Sequence, residues 1–77
     1  MLLGRVAGKV WATKKSEALT GQAFLTVEVE GRLLVCADCV GAGEGETVLV
    51  ATGGAARVAA GGAIPVDAAI VGIVDNQ

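Results

Sequence analysis

The sequence predicts an all-β fold, a small closed barrel of five strands with one short helix between the last two. Two observations carry the barrel: short apolar segments with a two-residue period recur along the chain, and glycine-rich breaks separate them. A third places the helix, because the one alanine-rich run, Ala55 to Ala60, stands between the last two apolar segments.

The first strand is expected from about Leu3 to Ala12, where Val6, Gly8 and Val10 alternate with Arg5, Ala7, Lys9 and Trp11. That alternation turns Arg5 and Lys9 outward. Thr13 to Gly21 contains Lys14-Lys15-Ser16-Glu17 and ends in glycine, which fits a loop or a single helical turn. In the second strand Leu25, Val27 and Val29 share one face and Phe24, Thr26, Glu28 and Glu30 the other. Glu30-Gly31 then makes a tight turn into a third strand, Arg32 to Ala37.

Gly41-Ala42-Gly43-Glu44-Gly45 is too glycine-rich for regular structure, and a fourth, nearly all-apolar strand follows from Thr47 to Ala51. Gly53-Gly54 precedes the alanine helix and Gly61-Gly62 stops it. Beyond Pro65, Val66 to Val74 is apolar at both parities, so the last strand is expected to be buried on both faces. Glycines 8 and 72 would allow the sharp bends that closure of an OB-like barrel needs, or close approach of another backbone.

Composition bounds the rest. Seventy-seven residues, 53% of them hydrophobic and 3% aromatic, make one domain spanning 1–77 with few bulky side chains for a core, and help from partner subunits is the expected remedy. No charge-free apolar run approaches a membrane span. Arg5 and Lys9 interrupt any signal-peptide core, so a cytoplasmic location is expected, with Cys36 and Cys39 as reduced thiols. A net charge of -2, with Trp11 and Phe24 the only aromatic residues, argues against nucleic acid. The charge is also unevenly distributed: five bases and three acids lie up to Arg32, one base and five acids beyond it. Solvated faces explain that bias, and so does a head-to-tail contact between subunits.

No motif supports catalysis or a cofactor. There is no histidine, the single serine is Ser16 in a lysine-rich loop, and the scattered acids form no pair suited to acid–base work. Gly41-x-Gly43 begins like a dinucleotide loop, but Glu46 occupies the third glycine position and a strand follows instead of a helix. Cys36-Ala37-Asp38-Cys39 has redox or half-zinc spacing, yet the chain lacks further ligands and Cys36 ends an apolar strand, so structural thiols are expected and no metal. Arg57 is expected to pair with a carboxylate or carbonyl of a neighbouring segment.

An ordered set of short motifs resembles one family. Its pieces are Gly8-x-Val10-x-x-Thr13-x-Lys15, Leu19-x-Gly21, Asp38-x-Val40-Gly41-Ala42-Gly43-x-Gly45-Glu46-x-Val48-Leu49-Val50, Gly53-x-Ala55-Ala56-Arg57, and the run Pro65 to Asp75. Together they resemble the vertex proteins of carboxysomes and of ethanolamine-utilising and related bacterial microcompartments. The resemblance implies a non-enzymatic subunit that assembles as a pentamer and closes the corners of a shell whose facets are hexameric tiles. It also implies a subunit interface at Gly53, Gly54, Ala55, Ala56 and Arg57. Gly41, Ala42, Gly43 and Glu44 are the candidate lining of an axial pore, where copies of Glu44 would form a negative ring; a plain surface turn is the alternative. The chain departs from the family in its short Glu30-Gly31 connection, in Gly54 where serine is common, and in a nearly missing C-terminal extension. A single-stranded nucleic-acid binder on the same barrel is the competing reading, and a Cys36–Cys39 redox or metal module ranks below both.

Overall fold

The computed structural model describes residues 1–75 and contains the five strands and the helix in the expected order. They are β1 (Leu2–Val10), β2 (Phe24–Val29), β3 (Arg32–Asp38), β4 (Thr47–Thr52), α1 (Gly54–Ala60) and β5 (Ala68–Ile73), with one 3-10 turn, Glu17–Leu19, between β1 and β2. Ser16 caps that turn by accepting a hydrogen bond from the Ala18 N–H at 3.3 Å. The strands close into a barrel in the order β1-β2-β3-β5-β4. All neighbours are antiparallel except β3 and β5, which are parallel and pair only at Ala37↔Ala69 and Asp38↔Ile70.

The interior is filled by aliphatic side chains from every strand. Val6, Leu25, Val27, Val29, Cys36, Val48, Val50, Ala68 and Ile70 form the main cluster, with Leu34 and Ala42 against it. A second cluster lies outside the barrel wall, where Ala56 of α1 packs on Ala37 and Ala69, with Phe24, Val66 and Val71 at its margin. Burying these groups removes apolar area from water at about 25 cal/mol per Å², and no buried polar side chain among the described residues lacks a partner.

Two expectations are corrected by bulges. Along β1 the pairing with β2 shifts between Val6↔Val27 and Gly8↔Thr26, so the alternation slips by one residue at Ala7. Directly paired side chains share a face, so Gly8 and Val10 stand with Thr26 and Phe24 on the outer face, whereas Lys9, opposite Leu25, projects from the inner face at the mouth of the barrel. Arg5 keeps its outward place opposite Glu28. In β5 the second shift lies between the pairs Val50↔Ile70 and Leu49↔Gly72. Before it Ala68, Ala69 and Ile70 are buried on both faces, as expected; after it Val71 and Gly72 are half-covered and Ile73 is exposed, so double burial ends at the bulge. The strand is also shorter than Val66 to Val74, because Val66 bonds within its own turn to the Ile64 carbonyl.

Gly8 and Gly72 thus both flank bulges, consistent with bending. The close approach belongs instead to Gly4, where a methyl group would come within 2.5 Å of Val27 Cγ1, 2.8 Å of Val29 Cγ2 and 2.9 Å of the Glu28 carbonyl oxygen. At the hairpin tip Glu30 and Gly31 both take positive φ, 51° and 78°, the two-residue turn whose twist matches the strands it joins.

Two substitutions follow from this geometry. Gly4→Ala should lower unfolding free energy by about 1–3 kcal/mol through overpacking, read from denaturant melts. Glu30→Asn, better suited to positive φ, should raise it by a few tenths to about 1 kcal/mol.

Candidate functional site

Two glycine-rich segments carry the candidate residues, and the fold holds each differently. The connection from β3 to β4 is organised by Asp38, which ends β3 and bends its carboxylate back over the chain. Its oxygens accept hydrogen bonds from the N–H groups of Val40 at 3.1 Å, Gly41 at 3.0 Å and Ala42 at 3.0 Å. One carboxylate thereby satisfies three successive donors in a segment that makes no sheet bonds. Glu46 repeats the device in reverse, its Oε1 accepting from the Gly43 N–H at 2.6 Å. The loop is tied to β1 by Gly45 N–H to the Val6 carbonyl at 2.8 Å and Val6 N–H to the Glu46 carbonyl at 3.0 Å.

Gly41, Gly43 and Glu44 are exposed on this fixed loop, while Ala42 is half-buried against the main core. The Glu44 carboxylate lies over β1, 4.0 Å from where a Cβ on Gly8 would stand. The four candidate pore residues therefore sit together on a rigid, exposed turn. Asp38 was legible in the sequence only as part of a motif; the aspartate-to-glycine spacing of a side-chain-capped turn is the signal that identifies its role.

The second segment begins with Gly53, whose φ of 62° and ψ of -136° suit glycine alone and whose N–H donates to the Asp67 carbonyl at 2.8 Å. α1 then runs for seven residues and ends at Gly61, with the Gly62 N–H returned to the Arg57 carbonyl at 2.7 Å. Of the five candidate interface residues, Gly53, Gly54, Ala55 and Arg57 are exposed and Ala56 is fully buried under the helix. Ala56 thus fixes α1 on the barrel, and the other four form its outward surface. Arg57 lines a shallow cleft with Gly53, Gly54, Pro65, Val66 and Asp67. It makes no ion pair within 4.0 Å among the described residues even though Asp67 lines the same cleft, contrary to the pairing expected from sequence.

The cysteines are both free and part company in the fold. Cys36 is inside the barrel and Cys39 on the surface, its thiol 3.7 Å from the Ala59 carbonyl. Burial, then the charge of Asp67, pushes the Cys36 thiol up to about 11 from an ordinary 9.0. Burial and then Asp38 also raise Cys39. Neither is therefore an activated nucleophile. Among the described residues no three histidine, cysteine, aspartate or glutamate side chains gather to hold a metal, and no helix is long and apolar enough to cross a membrane.

What the surface does offer is apolar area. Met1, Leu3, Trp11, Leu33, Val35 and Val58 are each more than half exposed on a 77-residue chain. A barrel with hydrogen-bonded loops and several uncovered apolar side chains suits a subunit of an assembly.

The comparisons with known proteins specify which. Residues 1–75 match the family model described as ethanolamine utilisation protein EutN/carboxysome, and the chain belongs to that family. It is 45% identical over 84 aligned positions to the carboxysome shell vertex protein CcmL of Thermosynechococcus vestitus, covering 99% of this chain and 85% of the relative. It is equally similar, at 45% and with 94% of the relative covered, to the microcompartment shell vertex protein GrpN of Rhodospirillum rubrum. Both alignments exceed the length of this chain, so these relatives carry residues it lacks, in keeping with its short connections. Among solved structures, the GrpN pentameric microcompartment shell protein superposes with a TM-score of 0.86 at 42% identity, covering 99% of this chain and 95% of that one. CsoS4B from Halothiobacillus neapolitanus superposes at 0.93 with 32% identity, covering 99% and 100%.

Two measurements check the site. Asp38→Ala strands three backbone donors and should cost about 1–3 kcal/mol, with hydrogen exchange at Val40, Gly41 and Ala42 accelerating more than at strand amides. Unfolded Cys36 ionises from pH 9 while the folded thiol holds its proton to about 11, so this group's contribution to stability is complete below pH 9 and is lost as pH rises to about 11. Denaturant melts across that window should show the loss, and Cys36→Ala should flatten it.

Proposed function

We propose that this chain is a structural subunit of a bacterial microcompartment shell, assembling as a ring of five that caps a vertex. Family membership over residues 1–75, with a pentameric shell protein superposing along almost the whole chain, is the observation that carries this reading. The physics of the protomer agrees with it. A core of small aliphatic side chains and an apolar surface favour stability gained by burial between copies.

The geometry of a closed shell supplies the reason for five-fold order. Six-fold tiles fill a flat facet, and curvature into a closed polyhedron requires five-fold positions at its corners. The partners proposed are therefore hexameric shell tiles, and the place proposed is the shell of a compartment in the bacterial cytoplasm. The role is mechanical, without substrate or cofactor. The nucleic-acid reading finds no support: the net charge is -2, and Trp11 and Phe24 provide no run of stacking platforms.

Within the ring, the outward residues Gly53, Gly54, Ala55 and Arg57 are proposed to meet the neighbouring subunit, with Ala56 anchoring them from beneath. Gly41, Ala42, Gly43 and Glu44 are proposed to approach the axis. Native mass spectrometry at micromolar concentration should show a species of five chains; a monomer unchanged by dilution would remove the shell reading. Ala55→Trp, which adds bulk only on the outside of α1, should shift rings to smaller species with an unaltered β-rich far-ultraviolet spectrum. Unchanged ring mass would place α1 away from the interface.

A further inference from the structure

An apolar surface not absorbed by this reading is a groove at the end of the barrel where β1 finishes. Ala23, Phe24, Leu25 and Ala42 contribute to its floor, and Trp11, 85% exposed, stands on its flank. Lys9 and Lys15 line it as well, Lys9 because the β1 bulge turns it to the inner face. The one carboxylate in the groove, Asp38, is already engaged by three backbone N–H groups. An apolar floor under two cations that pair with no carboxylate among the described residues calls for an occupant with an exposed apolar side chain and negative charge.

The exposed apolar side chains of the chain itself separate on that criterion. Leu33 adjoins Arg32, Val58 adjoins Arg57, Leu3 lies two residues from Arg5, and Met1 and Leu2 stand at the amino terminus. Trp11 and Val35 belong to the groove lining itself, so Val40 and Ile73 remain. Ile73 has one acid nearby, Asp75, whereas Val40 heads a loop that carries Glu44 and Glu46 and no base. That loop is also held rigid by Asp38 and by its bonds to β1, so docking it costs little ordering. It does not serve its own groove: Glu44 lies over Gly8 on the outer face, Lys9 projects from the inner face, and no ion pair joins them within 4.0 Å.

We propose that the 40–44 loop of one copy docks in this groove of the next, with Val40 on the Trp11–Phe24 surface and Glu44 facing Lys9 and Lys15. The inference rests on the ring reading above and assigns a contact within it. Loop and groove adjoin at Gly41 and Ala42, but the side chains that would meet differ, Val40 and Glu44 on one and Trp11, Phe24, Lys9 and Lys15 on the other. The contact therefore fits the head-to-tail arrangement of a ring, and a reciprocal two-fold dimer is the outcome that the test below must exclude. It also supplies the counter-charge that several Glu44 side chains brought near one axis require, because each meets two lysines of its neighbour.

Charge reversal tests the pairing on the full chain. Glu44→Lys should raise the concentration at which half the rings dissociate by about tenfold or more, as should Lys9→Glu with Lys15→Glu, and the combined variant should return it to within about threefold of the original. Singly weakened rings with no recovery in the combination would overturn the pairing. Trp11→Cys places a thiol in the groove opposite the exposed Cys39 beside Val40, and air oxidation with copper phenanthroline should then give a covalent ladder beyond dimers on a denaturing gel. The unaltered chain, with one exposed thiol, should stop at dimers. Charge recovery without a ladder would put the pairing inside one chain or in a closed two-fold dimer and overturn the proposal. Intact rings indifferent to every variant would overturn the contact alone, whereas an unaltered chain that is monomeric would overturn the ring reading with it.

Discussion

Closure of the barrel depends on a parallel contact between β3 and β5 that amounts to two residue pairs, Ala37↔Ala69 and Asp38↔Ile70. Every other seam is an antiparallel ladder of four to six pairs. So short a seam needs support from both sides. From inside, Cys36 and Ile70 are fully buried in the main cluster; from outside, Ala56 of α1 covers Ala37 and Ala69. The methyl side chains at 37, 56 and 69 let the helix lie almost directly on the two strands, and a larger residue at any of them would lift it off. The same seam positions the loop that follows. Asp38 donates its N–H to the Ala23 carbonyl and Cys39 its N–H to the Ile70 carbonyl, which leaves the Asp38 carboxylate poised over residues 40–42.

The two candidate segments are therefore products of one structural requirement. α1 is present to seal the seam, and its outward residues are what remains once Ala56 is spent on that contact. The 40–44 loop leaves the seam in a conformation imposed by Asp38. Both are rigid without being deeply buried, which suits surfaces that must fit a neighbour repeatedly at low ordering cost. The core itself is modest for the number of residues ordered, and more than half the surface of Leu3, Leu33, Val35, Trp11 and Val58 stays in water. In a chain this small, subunit burial and folding draw on the same apolar area.

Much of this was legible in the sequence, and the exceptions have physical causes. The β2–β3 hairpin was readable because Leu25, Val27 and Val29 alternate strictly with polar or outward neighbours and because Glu30-Gly31 leaves room for one kind of turn. The helix was readable from alanine between glycine pairs. The face of Lys9 was not, because a bulge adds one residue to one strand and nothing in the local pattern marks which; Ala7 suits either face. Gly4 was passed over for Gly8 since close approach is a property of the partner strand, here Val27, Val29 and the Glu28 carbonyl, and not of the glycine's own neighbours. The burial of Ala56 was not readable, because a seven-residue helix has too few turns to show its buried side by periodicity. The role of Asp38 was readable in principle, since its bonds to the N–H groups at 40–42 are local to the Asp-x-x-Gly spacing.

The charge bias along the chain takes on a different meaning once folded. Read linearly, bases predominate up to Arg32 and acids beyond it, a bias that fits solvated faces or a head-to-tail contact. The fold instead brings the two signs to one end of the barrel: Lys9 and Lys15 line the groove together with Asp38, Gly41 and Ala42, and Glu44 rests on the adjoining stretch of β1. Opposed poles would stack copies in a line. Patches of opposite sign set side by side at one end suit copies rotated about an axis near that end, as in a cyclic ring. The bulge at Ala7 is decisive in that arrangement, since without the one-residue slip Lys9 would share the outer face with Glu44 and each chain could neutralise its own charge. By separating them across the sheet, the barrel leaves Lys9 and Glu44 without an ion pair to each other.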